Sequence, residues 1–218
     1  MPRFEYTAFY DLDHTILDGN SATHLVMEAR KRGVMSEKQY RQAVWLSILY
    51  KLNIGNPTLM INRMLSWLKG LKEDEIKALA RDIFHSRIKE TIRPMILDTI
   101  REHRSKKGAV VLLSSASTPI CQPVTEYMEL DEMICTKLES KDGLLTGNTS
   151  GKLVYGPEKK VQMLAFCRKN EYDPKEAWYY GDSHTDRYVM EAVGHPVAVF
   201  PDRRLMKRAK RNKWTILA

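Results

Sequence analysis

The chain has 218 residues, which suits one domain of moderate size or a core with a modest insertion. Hydrophobic residues make up 43% and charged residues 28%, and no apolar run approaches the ~18 residues that would cross a bilayer. The formal net charge is +8, concentrated between Arg203 and Lys213. No aromatic residues are interleaved there as in a single-strand groove, so a solvated basic helix is preferred over a nucleic-acid site.

The first residues, Met-Pro-Arg-Phe-Glu, offer no signal-peptide core, and a cytoplasmic protein is expected. Cys121, Cys135 and Cys167 are dispersed and odd in number. That pattern predicts reduced, buried thiols rather than disulfides or a zinc site.

Residues 6–11 read as a buried strand that ends on a carboxylate. Helical signals then dominate to about residue 107. Asn20 or Ser21 caps a helix that stops near Gly33, and Ser36 with Gln39 forms a capping box for a second. Asn56-Pro57 opens a third, ending near Gly70. Ile76, Leu79, Ala80, Ile83 and Phe84 mark a fourth over 72–90. Pro94 opens another, closed by Gly108. The run Ala109-Val110-Val111-Leu112-Leu113 predicts a strand covered on both faces. Thr118-Pro119 starts a helix, and 132–154 contains strand-like pieces around the turn Lys141-Asp142-Gly143. A helix from Pro157 to Asn170, a strand at Ala177–Tyr180, a helix after Asp182, a strand at Pro196–Phe200 and the basic helix complete the chain.

Strands alternating with helices imply an α/β fold with a doubly wound parallel sheet. The helical stretch 19–90 interrupts the alternation and reads as an all-helical cap inserted into a core of 1–18 and 91–218.

In such a sheet, ligands bind beyond the carboxyl ends of the strands. Asp11 and Asp13 end the first strand, Ser114 and Ser115 the second, and Asp182 the third, with Asp186 one helical turn later. Lys159 and Lys160 lie near a helix start. Any single Asp at a strand end is more often a cap or turn former. Two acids one residue apart after an apolar strand repel each other, however, and a bound cation resolves this most simply.

These residues resemble the haloacid dehalogenase superfamily. Its DxDxT signature is matched by Asp11-Leu12-Asp13-His14-Thr15, its strand-end Ser or Thr by Leu113-Ser114-Ser115, its Lys within Glu158-Lys159-Lys160, and its GDxxxD by Gly181-Asp182-Ser183-His184-Thr185-Asp186. The ordered set spans almost the whole chain outside the insertion. An insertion between the first and second signatures resembles the C1-capped branch that includes phosphoserine phosphatases. Ser115-Ala116-Ser117, Thr136–Glu139, Val193–Val199 and Pro201–Leu205 look like a phosphoserine-phosphatase-like set within it.

The resemblance implies a Rossmann-like core and a magnesium-dependent phosphatase acting on a small phosphorylated metabolite. In it Asp11 is the nucleophile. Asp13 is the general acid and base. Ser115 binds a phosphoryl oxygen, with Ser114 the alternative. Lys160 stabilises the transferring group, with Lys159 the alternative. Mg²⁺ is held by Asp11, the Asp13 carbonyl and Asp182, with Asp186 orienting that shell. Phosphoserine enzymes usually carry a Glu where this chain has Asn20, so phosphoserine is a candidate substrate and not the leading one. Asp18 is a substitute, with a turn role equally in view. His184 is a substrate contact or an exposed loop residue. Nucleic-acid binding and stable membrane association are not expected. The rivals are a phosphorelay receiver, against which Asp13 counts, a non-catalytic polyanion binder using 203–213, and a phosphatase on a lipid phosphate at a membrane surface.

Overall fold

Successive residues of a strand face opposite ways, so a continuous apolar strand needs an apolar layer on each side. The computed structural model, which describes residues 4–51 and 55–218, follows this rule at its centre. In chain order its elements are β1 (Tyr6–Tyr10), α1 (Ser21–Lys31), α2 (Glu37–Lys51), α3 (Pro57–Leu65), α4 (Glu73–Ile83), α5 (Pro94–Ser105), β2 (Gly108–Ser117), α6 (Thr118–Tyr127) and β3 (Glu132–Thr136). There follow β4 (Leu138–Lys141), β5 (Leu144–Thr149), α7 (Pro157–Lys169), β6 (Trp178–Gly181), α8 (Arg187–Met190), β7 (His195–Val199), α9 (Arg203–Asn212) and β8 (Thr215–Leu217).

Six strands form one parallel sheet in the order β3-β2-β1-β6-β7-β8. Ala8 and Tyr10 of β1, with Val110 and Leu112 of β2, join an apolar cluster with Ile96 and Ile100 of α5 and Ile120 and Val124 of α6. Phe9, Val111 and Leu113 face the other layer, with Met163 and Cys167 of α7, Val189 and Met190 of α8, and Leu205 and Ala209 of α9. The fold is α/β with helices on both faces. All three cysteines are buried and free. Among the described residues no helix is long and apolar enough to cross a membrane.

Several boundaries differ from expectation. Gly108 does not close α5 but opens β2, where the Tyr6 ring lies 2.7 Å from the position of a Cβ. The left-handed residue between the two elements is Lys107. Beyond α4 the chain widens into a π-turn at Phe84–Ile88, whose buried Phe84 and Ile88 continue the apolar stripe. The piece at 132–136 is a full member of the sheet. The three-residue β8 lies past the basic helix, where too few residues exist to display a period.

Helices α1 to α4 leave the carboxyl end of β1 and return just before α5. Their buried Leu25, Ala29, Ile76 and Leu79 belong to the same apolar cluster as the sheet. The outgoing and returning strands are stitched together. Leu17 bridges Ile92, Asp18 N–H donates to Thr91 (2.7 Å) and Arg93 N–H to Ile16 (2.9 Å). The antiparallel hairpin β4–β5 grips the segment between α3 and α4, with Gly70 N–H to Leu145 O (2.8 Å), Leu145 N–H to Leu71 O (2.9 Å) and Glu73 N–H to Gly143 O (2.9 Å).

A polar knot lies between α5 and the sheet. His103 Nδ1 is 2.8 Å from Tyr6 Oη, and its Nε2 is 2.9 Å from Tyr180 Oη. Burial pushes the imidazole down to about 4 from 6.5. A depressed folded-state pKa means the unfolded chain binds the proton first. The neutral ring therefore contributes stability above pH 6.5, lost as pH falls toward about 4. The expected outcome is that wild type loses more stability than His103→Gln across that window, read by thermal melts at matched pH.

Candidate active site

The sheet register brings three strand ends level. Tyr10 pairs with Leu112 on one side and Tyr180 on the other, so Asp11, Leu113 and Gly181 follow at one height. Asp11 N–H donates to Tyr180 O (2.9 Å), which fixes the first acid at this edge. The chain then makes a wide turn in which His14 takes the left-handed conformation (φ 58°) and Leu17 N–H returns to Leu12 O (2.9 Å). That turn buries Thr15, whose hydroxyl donates to Asp182 Oδ1 at 3.4 Å.

One ligand atom each of Asp11, Asp182 and Asp186 lies within 4.8 Å of the others. Lys159 Nζ sits between two of them, 2.8 Å from Asp11 Oδ2 and 2.8 Å from Asp186 Oδ1. Three ionised carboxylates against one ammonium would leave two negative charges uncompensated. Burial, opposed by Lys159 and reinforced by Asp186, pushes Asp11 up to about 6. Burial, then Asp186 and Asp11, push Asp182 up to about 9. Burial works against charge on Lys159, yet the two carboxylates outweigh it and raise its pKa. An all-oxygen donor set with excess negative charge fits a small, hard divalent cation such as Mg²⁺. Asp186 is already engaged by its neighbours. Its Oδ1 accepts from Lys159 and from Tyr179 Oη (2.7 Å), and its Oδ2 from Ser183 N–H (3.1 Å).

Asp13 points elsewhere. Its Oδ1 accepts from Ser21 N–H at the start of α1 (2.8 Å) and its Oδ2 from Asn20 Nδ2 (3.3 Å). Burial raises its pKa, with the Ser21 N–H pulling the other way. Asn20 also caps α1 through Thr23 N–H (3.0 Å), so its side chain is engaged in holding Asp13 and the helix. Asp18 is exposed and ion-paired with Arg93 at 2.7 Å.

Ser115 lies partly exposed at the end of β2, while Ser114 is buried with its hydroxyl accepting from Ala116 N–H (3.3 Å). His184 N–H donates to Asp202 Oδ2 (2.7 Å), and burial lowers its pKa. Asp202 N–H in turn donates to Asp182 O (2.8 Å), tying this loop to α9.

The lysine preference is corrected. Lys160 is exposed, and the lysine against Asp11 is Lys159. The reason is helix phase. Lys159 stands four and eight residues before Met163 and Cys167, the buried stripe of α7, whereas Lys160 aligns with the exposed Arg168.

Sequence reasoning missed Tyr179, Thr15 and Asp202. Tyr179 sits in an apolar strand whose alternation conceals a buried hydroxyl, 3.2 Å from Lys159 Nζ and donating to Asp186. Gly181 is sterically required, because Asp186 Cγ lies 3.0 Å from the position of a Cβ.

Lys159→Met is expected to cut turnover by about 10²–10³-fold, and Lys160→Met to leave it within about twofold, in steady-state assays. In the metal-free protein, Asp182 holds a proton that the unfolded chain has released. The stability this contributes is lost as pH rises toward about 9. Melts in chelator should therefore fall from pH 7 to pH 9, and Mg²⁺ should raise them more at pH 9 than at pH 7.

A family model described as haloacid dehalogenase-like hydrolase matches residues 8–191. The chain is 27% identical to the histidinol-phosphatase of Neisseria meningitidis over 222 residues, covering 96% of this chain and 97% of the other. It is 25% identical to a phosphoserine phosphatase of Mycobacterium tuberculosis over 214 residues, covering 96% and 69%. A crystal structure of a Bordetella pertussis protein with unknown function superposes with a TM-score of 0.89 at 22% identity, covering 99% of each chain.

Proposed function

The chain belongs to the haloacid dehalogenase-like hydrolases, and from that premise we propose that it is a Mg²⁺-dependent phosphatase that hydrolyses a small phosphate monoester through a phosphorylated Asp11. Phosphoric monoester hydrolysis is the activity named for its relatives. The observation that carries the finer reading is the buried Asp11–Lys159–Asp186 chain with Asp182 alongside.

Asp11 Oδ1 accepts from Leu12 N–H (2.8 Å) and Oδ2 from Lys159, which fixes the carboxylate against the strand end. One of its oxygens attacks phosphorus in line, and the bond from phosphorus to the ester oxygen breaks. Asp13, kept above its ordinary pKa by burial, gives a proton to the departing alkoxide. It then takes a proton from water, whose oxygen attacks the phosphorus of the aspartyl-phosphate, releasing phosphate and restoring Asp11. Ser115 donates to a phosphoryl oxygen. Lys159, and not Lys160, offsets charge on the transferring group and holds Asp11 in place. Asp11, Asp182 and the carbonyl of Asp13 are the groups to hold Mg²⁺, which when bound supplies positive charge against the carboxylates and the phosphate.

Segment 19–90 acts as the cap over a core of 1–18 and 91–218, opening for substrate and excluding water when closed. Small phosphorylated metabolites fit such an enclosed site better than macromolecules. Asn20 supplies no negative charge for a substrate amine, and its amide is engaged with Asp13. Phosphoserine and histidinol phosphate are therefore tested beside other metabolites. The three buried, free thiols agree with a reducing, cytoplasmic setting.

The test is turnover of p-nitrophenyl phosphate and a metabolite panel with and without Mg²⁺. Mg²⁺-dependent turnover that falls by about 10³-fold or more in Asp11→Asn is expected. Unchanged turnover in that variant, or none on any substrate with Mg²⁺ bound, contradicts the reading.

A further inference from the structure

Seven of the 35 basic residues lie between Arg203 and Lys213 with no acidic residue among them, so the rest of the chain carries 28 basic against 27 acidic. Six of the seven, Arg203, Arg204, Lys207, Lys210, Arg211 and Lys213, are exposed, and among the described residues none of them is ion-paired. Elsewhere, surface bases such as Arg30, Arg32, Lys77, Arg101 and Lys106 each face a carboxylate.

The arrangement works against the helix that carries it. Arg203 and Arg204 stand in the first turn, at the positive end of the helix dipole, which the Asp202 cap offsets through Arg204 N–H and Leu205 N–H. Arg203–Lys207 and Lys207–Arg211 are like-charged pairs at the i,i+4 spacing, which destabilises a helix. Among the described residues, only the Asp202 cap and the Arg208–Glu191 ion pair offset this, and the six exposed bases face no carboxylate.

The inward stripe of α9 is already occupied, because Leu205 and Ala209 are fully buried against the sheet. The helix therefore lies against the flank of the molecule and presents only its basic face outward. Its outward face has no aromatic residue on which a base could stack. A layer of phosphates matches that face in charge. Phe200, 42% exposed, and the partly exposed Trp214 flank the helix at its two ends, as aromatic residues do at lipid headgroups.

We propose that the exposed face of α9 is a docking surface for an anionic lipid membrane. The contact is electrostatic and reversible, without insertion, and it leaves the substrate site free. It goes beyond the phosphatase reading and is independent of it.

The test is co-sedimentation with vesicles of phosphatidylcholine carrying about 30% phosphatidylserine. Binding is expected at about 50 mM NaCl, release at about 500 mM, and none on pure phosphatidylcholine. Arg203→Gln/Lys207→Gln/Arg211→Gln should weaken partition by about a hundredfold. Turnover of p-nitrophenyl phosphate by that variant should be unchanged. Equal binding to neutral vesicles, unchanged binding of the folded variant, or retention by duplex DNA or RNA without vesicle binding overturns the proposal. If the variant does not fold, hydrogen exchange of the unaltered protein decides. Slowed exchange over 203–213 on anionic vesicles supports the proposal, and unchanged exchange there overturns it.

Discussion

The charge imbalance behind β1 sets the terms for the rest of this structure. Three carboxylates, Asp11, Asp182 and Asp186, converge within 4.8 Å where only Lys159 compensates them. Like charges this close and this poorly hydrated do not all remain ionised without further positive charge, and the upward shifts at Asp11 and Asp182 express that cost. On the proposed reading a divalent cation would supply that charge, and pKa perturbation of this kind gathers at functional sites.

Much of the architecture holds the cluster in place. The parallel register aligns the ends of β1, β2 and β6. The apolar stripe of α7 drives Lys159 inward with Met163 and Cys167. Tyr179 and Ser183 donate to Asp186 beside Lys159 and hold this carboxylate where it anchors the lysine. Asp202 links the Asp182 loop to α9. The helical segment 19–90 is pinned where the chain leaves and returns, and the β4–β5 hairpin pairs with its α3–α4 connection. Any opening motion on the proposed scheme carries that hairpin along or breaks three backbone hydrogen bonds.

The sequence was legible wherever a residue's role was tied to a strand end or a strong period. Asp11, Asp13 and Asp182 follow apolar runs, and the alternation of strands and helices implied the sheet. The membership of β3 and the short β8 were hidden, because a few residues show no reliable period. Local similarity favoured Lys160, while the i,i+4 stripe of α7, equally readable, pointed to Lys159. Tyr179 was invisible as a polar partner because tyrosine is an ordinary strand residue, and only the tertiary fold sets its hydroxyl beside Asp186. The resemblance sets Asn20 and Asp18 near the substrate, and in the fold their side chains are engaged with Asp13 and Arg93.

The central claim is that Asp11 becomes covalently phosphorylated, and trapping that species tests it most directly. The protein would be mixed with Mg²⁺ and a turned-over monoester, quenched in acid within milliseconds, and its peptides mapped by mass spectrometry. The account predicts one phosphoryl group on the peptide containing Asp11, absent in Asp11→Asn and accumulating in Asp13→Asn with p-nitrophenyl phosphate, whose leaving group departs without a proton while discharge by water is slowed. Phosphate on another residue, or rapid turnover with none at Asp11, would contradict it.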